Sequence, residues 1–239
     1  MDKKLTLVGH LEELRRRIFF SLAVVAVLSV LAFAHAGDIL QVLKLPSAGL
    51  IDKLVFFSPT EAFSAYLKVA VLTAIVVGSP VLLYQLWAFI APGFGGPVQQ
   101  EGTLFLTFTV AAFFSGILFG YFFLLPAALK FLIGFASGVL QPMISVSEYL
   151  SFVLGLLLGC GLVFEMPVLS FLLARLGMLD YRLLRRSWKY AVLVIFIIAA
   201  IITPTPDAFN MCLMALPMLG LYEVSIWVAK WSAPVRREP

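Results

Sequence analysis

The chain has 239 residues, 62% of them hydrophobic and 13% charged, with a mean hydropathy of +1.04. A soluble domain carries about 25% charged residues, so this composition excludes a soluble globular domain and describes a polytopic membrane protein. The net charge of +4 is scattered along the chain and builds no nucleic-acid surface.

The first 17 positions carry Lys3, Lys4, Arg15, Arg16 and Arg17, with Glu12 and Glu13 among them. Leu5, Leu7, Leu11, Leu14 and Ile18 recur at mixed three- and four-residue spacing, so the segment from Gly9 reads as an amphipathic interfacial helix. It leads into a first span at 18–36, with no small-residue cleavage site after it, so this run is expected to remain as an anchor. Between Gly37 and Thr60 the apolar patches Ile39–Leu43 and Leu54–Phe57 are too short to cross a bilayer and are expected on its surface.

A second span covers 62–92, punctuated by Gly78 and Pro80, and Gly93–Glu101 is a glycine-rich turn. A third span at 103–125 is expected to stop at Pro126, with a loop to Ile144 that holds one apolar helical piece, Ala127–Phe135. The fourth span is 149–174, the fifth 188–203 and the sixth 208–229, with a polar loop after the fourth and a tight turn, Pro204–Asp207, after the fifth. Spans five and six look short: Tyr190–Thr203 has 14 uncharged residues, about 21 Å of helix against a hydrocarbon core of about 30 Å. A short span thins the bilayer or recruits partners. The expected architecture is one all-α integral membrane domain over residues 1–239, with six transmembrane helices.

Orientation follows from the cations. With six spans both ends share a side, and that side holds the five basic residues of the N-terminus, Arg175, Arg182, Arg185, Arg186 and Lys189, then Lys230, Arg236 and Arg237. Lys44, Lys53, Lys68 and Lys130 are left for the other side, so the positive-inside rule puts both termini in the cytoplasm.

Within 149–174, Glu165 is the only charged residue, followed by Pro167. An ionised carboxylate at that depth costs several kcal/mol unless it faces protein or water. It is either a structural acid bonded to a neighbouring helix or a polar spot in a cavity that receives something. Pro167 should kink or open the helix beside it. Cys160 and Cys212 sit in apolar runs without CxxC spacing, so neither a disulfide framework nor a metal site is expected. His10 and His35 are the only histidines, and the chain has no HExxH, GxSxG or GxxxxGK[ST] pattern, so an enzyme is not expected and no cofactor is implied. Glu12 and Glu13 stand four residues before Arg16 and Arg17, spacing that suits local ion pairs on a solvated face. Carboxylates at a cytoplasmic surface would equally attract a basic ligand, whose guanidinium pairs with them bidentately.

Five segments in register carry a family resemblance: His10–Arg17 (HLEELRRR), Tyr84–Pro92 (YQLWAFIAP), Phe164–Pro167 (FEMP), Thr203–Asp207 (TPTPD) and Leu216–Glu223 (LPMLGLYE). Together they resemble the TatC family, the multispanning subunit of the twin-arginine protein translocase. The resemblance extends over essentially the whole chain. It implies a concave, bowl-like bundle in the cytoplasmic (inner) membrane that receives Arg-Arg signal peptides of folded precursors and draws on the proton-motive force. By the same resemblance Glu13 belongs to the cytoplasmic signal-peptide site, Arg15 and Arg17 shape it, and Phe89 and Pro92 line it. Glu165 matches the family's intramembrane acid in the concave face. Thr203 matches the region where single-span TatA/TatB-type partner subunits dock in an oligomeric complex, and Asp207 the acid of the far-side turn.

One departure concerns the family's second cytoplasmic acid. Val98 stands where that acid is expected, and Glu101 follows three residues later. Three residues is nearly one helical turn, so Glu101 could present its carboxylate on the same face. Asn210-Met211 also replaces the Gln of many relatives. The competing reading is a secondary transporter that couples a small solute to protons through Glu165. Such transporters commonly show internal repeats and several intramembrane polar groups, and here only Glu165 and Glu223 qualify.

Overall fold

The computed structural model describes residues 7–51, 53–90, 102–134, 143–203 and 207–232. Pro92, Glu101 and the shifted-acid segment around Val98 lie outside the described residues. The architecture is helical, and the one β contact among the described residues is an isolated bridge joining Val55 to Ser145. Five helices are long and apolar enough to cross a membrane, and a sixth apolar helix is shorter.

The interfacial helix and first span expected from the sequence form one unbroken helix, α1 (Leu7–Ala34). α1 packs mainly on α3 (Pro59–Ile90), and its outward apolar side chains, Val30 at 74% exposure among them, are left for lipid. Between the two, the short helix α2 (Ala36–Lys44) is pinned by two phenols. Tyr121 donates to the Val42 carbonyl at 2.6 Å and Tyr149 to the Leu43 carbonyl at 2.8 Å. Both carbonyls lie in the last turn of α2, where that of Val42 also accepts from the Leu45 N–H.

Each of three prolines meets the helix differently. Pro80 lies inside α3 without ending it. The Val76 carbonyl that a residue 80 N–H would have served instead accepts the Ser79 hydroxyl at 2.8 Å. The expected stop at Pro126 is corrected by the structure. α4 (Gly102–Phe119) passes through a five-residue π turn, Gly120–Leu124, directly into α5 (Leu125–Gly134). The widened turn closes with the Leu125 N–H on the Gly120 carbonyl and absorbs the proline's steric demand just before Pro126. At Pro167 the helix does break: α6 (Val146–Phe164) ends and α7 (Met166–Arg175) begins around Glu165.

α7 ends at Gly177, whose φ of +69° suits glycine. The helix α8 (Tyr181–Arg186) follows, capped by Asp180 accepting from the Arg182 N–H, and leads into α9 (Trp188–Ile202). α9 has 15 residues, about 22 Å, and is short as expected. The last helix is longer than expected: α10 (Ala208–Ser232) has 25 residues, about 37 Å, and continues through Pro217.

α6 is the hub. Half of its span is buried, against 6% for the first span, and Leu150 and Val153 are wholly inaccessible. It contacts α3, α4, α9 and α10, while α7 lies along α10. Small residues on α6 allow these close approaches, as is usual for packed membrane helices. Glu61 near the start of α3 ties the N-terminus of α6 in place, accepting from the Ser145 hydroxyl, from the Ser147 N–H at 3.3 Å and from the Phe57 N–H at 2.7 Å. Lys68 adds bonds to the Ser147 and Ser151 hydroxyls at 2.6 and 2.8 Å.

Candidate functional site

α1 and α3 run antiparallel, so the polar start of α1 meets the end of α3. One helical turn separates Glu13 from Arg17, which puts both on the face turned toward α3. Arg17 donates from Nε and Nη2 to a single oxygen of Glu13, Oε1, at 3.0 and 2.6 Å. Its third nitrogen, Nη1, reaches across to Gln85 Oε1 of α3 at 2.9 Å. Both side chains of the ion pair are about a quarter exposed, 23% for Arg17 and 25% for Glu13. The local pair suggested by the spacing therefore forms for Glu13, and Arg17 also bridges to the second helix.

These three residues line a cavity of about 510 Å³ together with Gly9, Glu12, Arg16 and Phe20. His10 stacks on Phe89 of α3, with ring centroids 4.4 Å apart and planes 20° apart, so the aromatic pair closes the helices beside the polar cluster. Arg15 stands two residues from both Glu13 and Arg17, on the other side of α1. It is exposed, with its guanidinium 5.6 Å from the Phe19 ring. The structure thus brings Glu13, Arg17 and Phe89 to one end of the α1–α3 pair and leaves Arg15 off the cavity wall. Sequence reasoning missed Gln85 and His10. The available signal for Gln85 was its place as the one long polar side chain between Lys68 and Ile90 on an otherwise apolar helix.

Glu165 occupies the joint between α6 and α7. Its N–H donates to the Leu162 carbonyl at 3.2 Å and its carbonyl accepts from Leu169 at 2.8 Å, so the backbone is satisfied across the break. The side chain is 7% exposed, and Oε1 is buried with no hydrogen-bond partner among the described residues. The alternative of a structural acid bonded to a neighbouring helix has no such bond at that oxygen. Two residues on, Pro167 borders an apolar groove of about 480 Å³ that also involves Phe105, Phe108, Val168, Phe171, Arg175 and Val228.

The remaining expected positions have local partners. Thr203 is 5% exposed and returns its hydroxyl to the Ala199 carbonyl of its own helix at 2.8 Å. Asp207 caps α10: its carboxylate accepts from the Asn210 N–H at 2.7 Å and the Asn210 amide at 2.9 Å. Glu223 is joined to Arg185 of α8 by two bonds, 3.0 and 2.7 Å, at an exposed position. The neighbouring Tyr222 hydroxyl donates to the Leu184 carbonyl. Glu223 therefore clips α8 onto α10 and is no second lone acid. Among the described residues, no group of three or more His, Cys, Asp or Glu side chains is placed to hold a metal.

Comparison with known proteins gives one family. Residues 9–217 match the family model described as Sec-independent protein translocase protein (TatC). The chain is 41% identical over 234 residues to the Sec-independent protein translocase protein TatC of Carboxydothermus hydrogenoformans, covering 98% of this chain and 96% of that one. It is 44% identical to the TatC protein of Koribacter versatilis, covering 98% and 89%. A crystal structure of the twin-arginine translocase receptor TatC superposes with a TM-score of 0.84 at 36% identity, covering 93% of this chain and 99% of that one.

Proposed function

We propose a function from one premise: this chain belongs to the TatC family of Sec-independent protein translocase proteins. It is a membrane-spanning component of a protein translocase, a transport protein rather than a catalyst. Its role is that of the receptor subunit, which binds signal peptides bearing paired arginines and gathers single-span TatA/TatB-type subunits around itself for export driven by the proton-motive force.

The observation that carries this reading is the cavity at the α1–α3 end. It sets a partly exposed carboxylate, Glu13, and an amide, Gln85, beside an aromatic pair at the rim of the bundle. A guanidinium offers five N–H donors in a planar fork that suits a carboxylate edge, whereas an ammonium is a point charge. Glu13 supplies that edge. By the family resemblance Phe89, Pro92 and Glu101 belong to the same signal-peptide site, with Glu101 taking the part of the second acid. The apolar part of the signal then runs toward the buried Glu165. Both termini lie in the cytoplasm of a chain in the inner membrane, a reading supported by the clustering of Lys and Arg.

Binding of a labelled signal peptide to the protein in nanodiscs tests this. An Arg-Arg peptide should bind more tightly than its Lys-Lys counterpart, and Glu13→Ala should abolish the preference. Equal or absent binding of both to well-folded protein sinks the receptor reading. Solute uptake by proteoliposomes through Glu165 is then the next assay.

A further inference from the structure

A carboxylate proposed to receive a ligand guanidinium is here already occupied by one from its own chain. Arg17 spends two donors on Glu13 Oε1 and a third on Gln85, and all three residues line the same cavity. The arrangement imitates the expected complex, with an arginine fork on the acid and a second acceptor steadying it. Building on the receptor reading above, we propose that Arg17 is an internal competitor for the ligand's arginine at Glu13, latched shut by Gln85, and that signal-peptide binding is an exchange of one guanidinium for another.

The geometry gives this exchange its two properties. Arg17 grips only Oε1, so Glu13 Oε2 has no partner among the described residues and offers an incoming arginine a first foothold before Arg17 leaves. The pair is a quarter exposed, so water can solvate Arg17 as it swings out and the displacement leaves no charge stranded in apolar surroundings. Full occupation of Glu13 by any ligand requires that the latch open. The ligand's apparent affinity is therefore reduced by the fraction of open sites, and by the same factor for every such ligand. The latch sets a threshold: it leaves the ratio between Arg-Arg and Lys-Lys peptides unchanged but keeps weak binders from occupying the site. Gln85 is then a positioning residue, acting on the ligand only through Arg17.

The test is peptide binding in nanodiscs by wild type, Arg17→Lys, Gln85→Ala and Arg17→Ala. Arg17→Lys and Gln85→Ala keep the net charge, so relief of long-range repulsion cannot explain their effects. An ammonium carries its three donors on one nitrogen and does not reproduce the spread of Nε, Nη1 and Nη2 between Glu13 and Gln85. The latch predicts that both charge-conserving variants tighten the Arg-Arg peptide by roughly twofold to fivefold, the scale of a part-exposed ion pair. The Lys-Lys peptide should tighten by the same factor, while thermal stability falls slightly. Opposite movement of affinity and stability is what a merely structural role would not produce. Unchanged or weakened binding in Gln85→Ala and Arg17→Lys overturns the latch and makes these residues supports of the site or ligand contacts. If wild type itself binds neither peptide, the receptor reading fails first, and that outcome is distinct.

Discussion

Gly116 of α4 lies so close to Cys160 of α6 that a Cβ on it would stand 2.5 Å from the Cys160 carbonyl oxygen and 2.9 Å from its carbon. The obstacle is backbone, not a flexible side-chain tip, and it belongs to the most buried helix of the bundle. The two helices meet at the closest distance their backbones allow, which is where membrane proteins place glycine.

Gly116→Ala should therefore force α4 away from α6 and cost about 1–3 kcal/mol, the usual scale of overpacking. Gly220→Ala, on α10 with nothing within 4 Å of the added carbon, should be neutral or slightly stabilising. Thermal unfolding in one detergent, read for both variants, checks the contrast. Equal effects would mean that the Gly116–Cys160 approach does not limit the packing of α4 on α6.

Asp207→Ala should remove the cap of α10 and cost about 1 kcal/mol, within the 0.5–2 kcal/mol range for such caps. Asp207→Asn should restore most of it, because an asparagine oxygen accepts the same Asn210 N–H. If the asparagine variant is stable but inactive in transport, the charge of Asp207 serves something beyond the cap.

Glu61→Ala deletes the acceptor for the Ser145 hydroxyl and for the Ser147 and Phe57 N–H groups together. Bonds to a charged acceptor contribute about 1.5–3 kcal/mol each where buried and less where water competes. A loss of thermal stability is expected, with faster hydrogen exchange at the first turn of α6. Exchange unchanged there would show that α6 does not depend on this acid.

Glu165→Leu should separate function from folding. Oε1 is buried with no partner among the described residues, so replacing the acid by an apolar side chain removes a desolvation cost without breaking a bond there. Thermal stability should hold or rise, while precursor export in cells and co-purification of single-span partners should fall sharply. Export at the wild-type level would remove Glu165 from the mechanism.

Each of the three prolines was legible as a threat to its helix, but the outcome depended on neighbours. Pro80 is absorbed because Ser79 returns its hydroxyl to the vacated Val76 carbonyl, and Pro126 because the turn before it widens. Pro167 breaks the helix at Glu165. Periodicity and composition describe a residue's own preference and carry no register of which carbonyl finds a substitute donor. Span ends were blurred for the same reason: α4 and α5 join where a stop was expected, and α10 reaches Ser232.

By itself the sequence determined the class, the approximate positions of six apolar helices and the identity of the family, because hydrocarbon demands long uncharged runs and because five short motifs recur in order. It also marked Glu165, since a lone acid in a long apolar run is visible without coordinates. Only the tertiary structure decided which acids have partners. Glu13 and Arg17 are paired by a local spacing anyone can count, but Gln85 joins them from 68 residues away, Glu223 is claimed by Arg185 from 38 away, and Glu165 Oε1 is left without a bond among the described residues. Such choices are made across helix interfaces, by packing that brings distant residues within hydrogen-bond reach, and a linear pattern does not encode those distances.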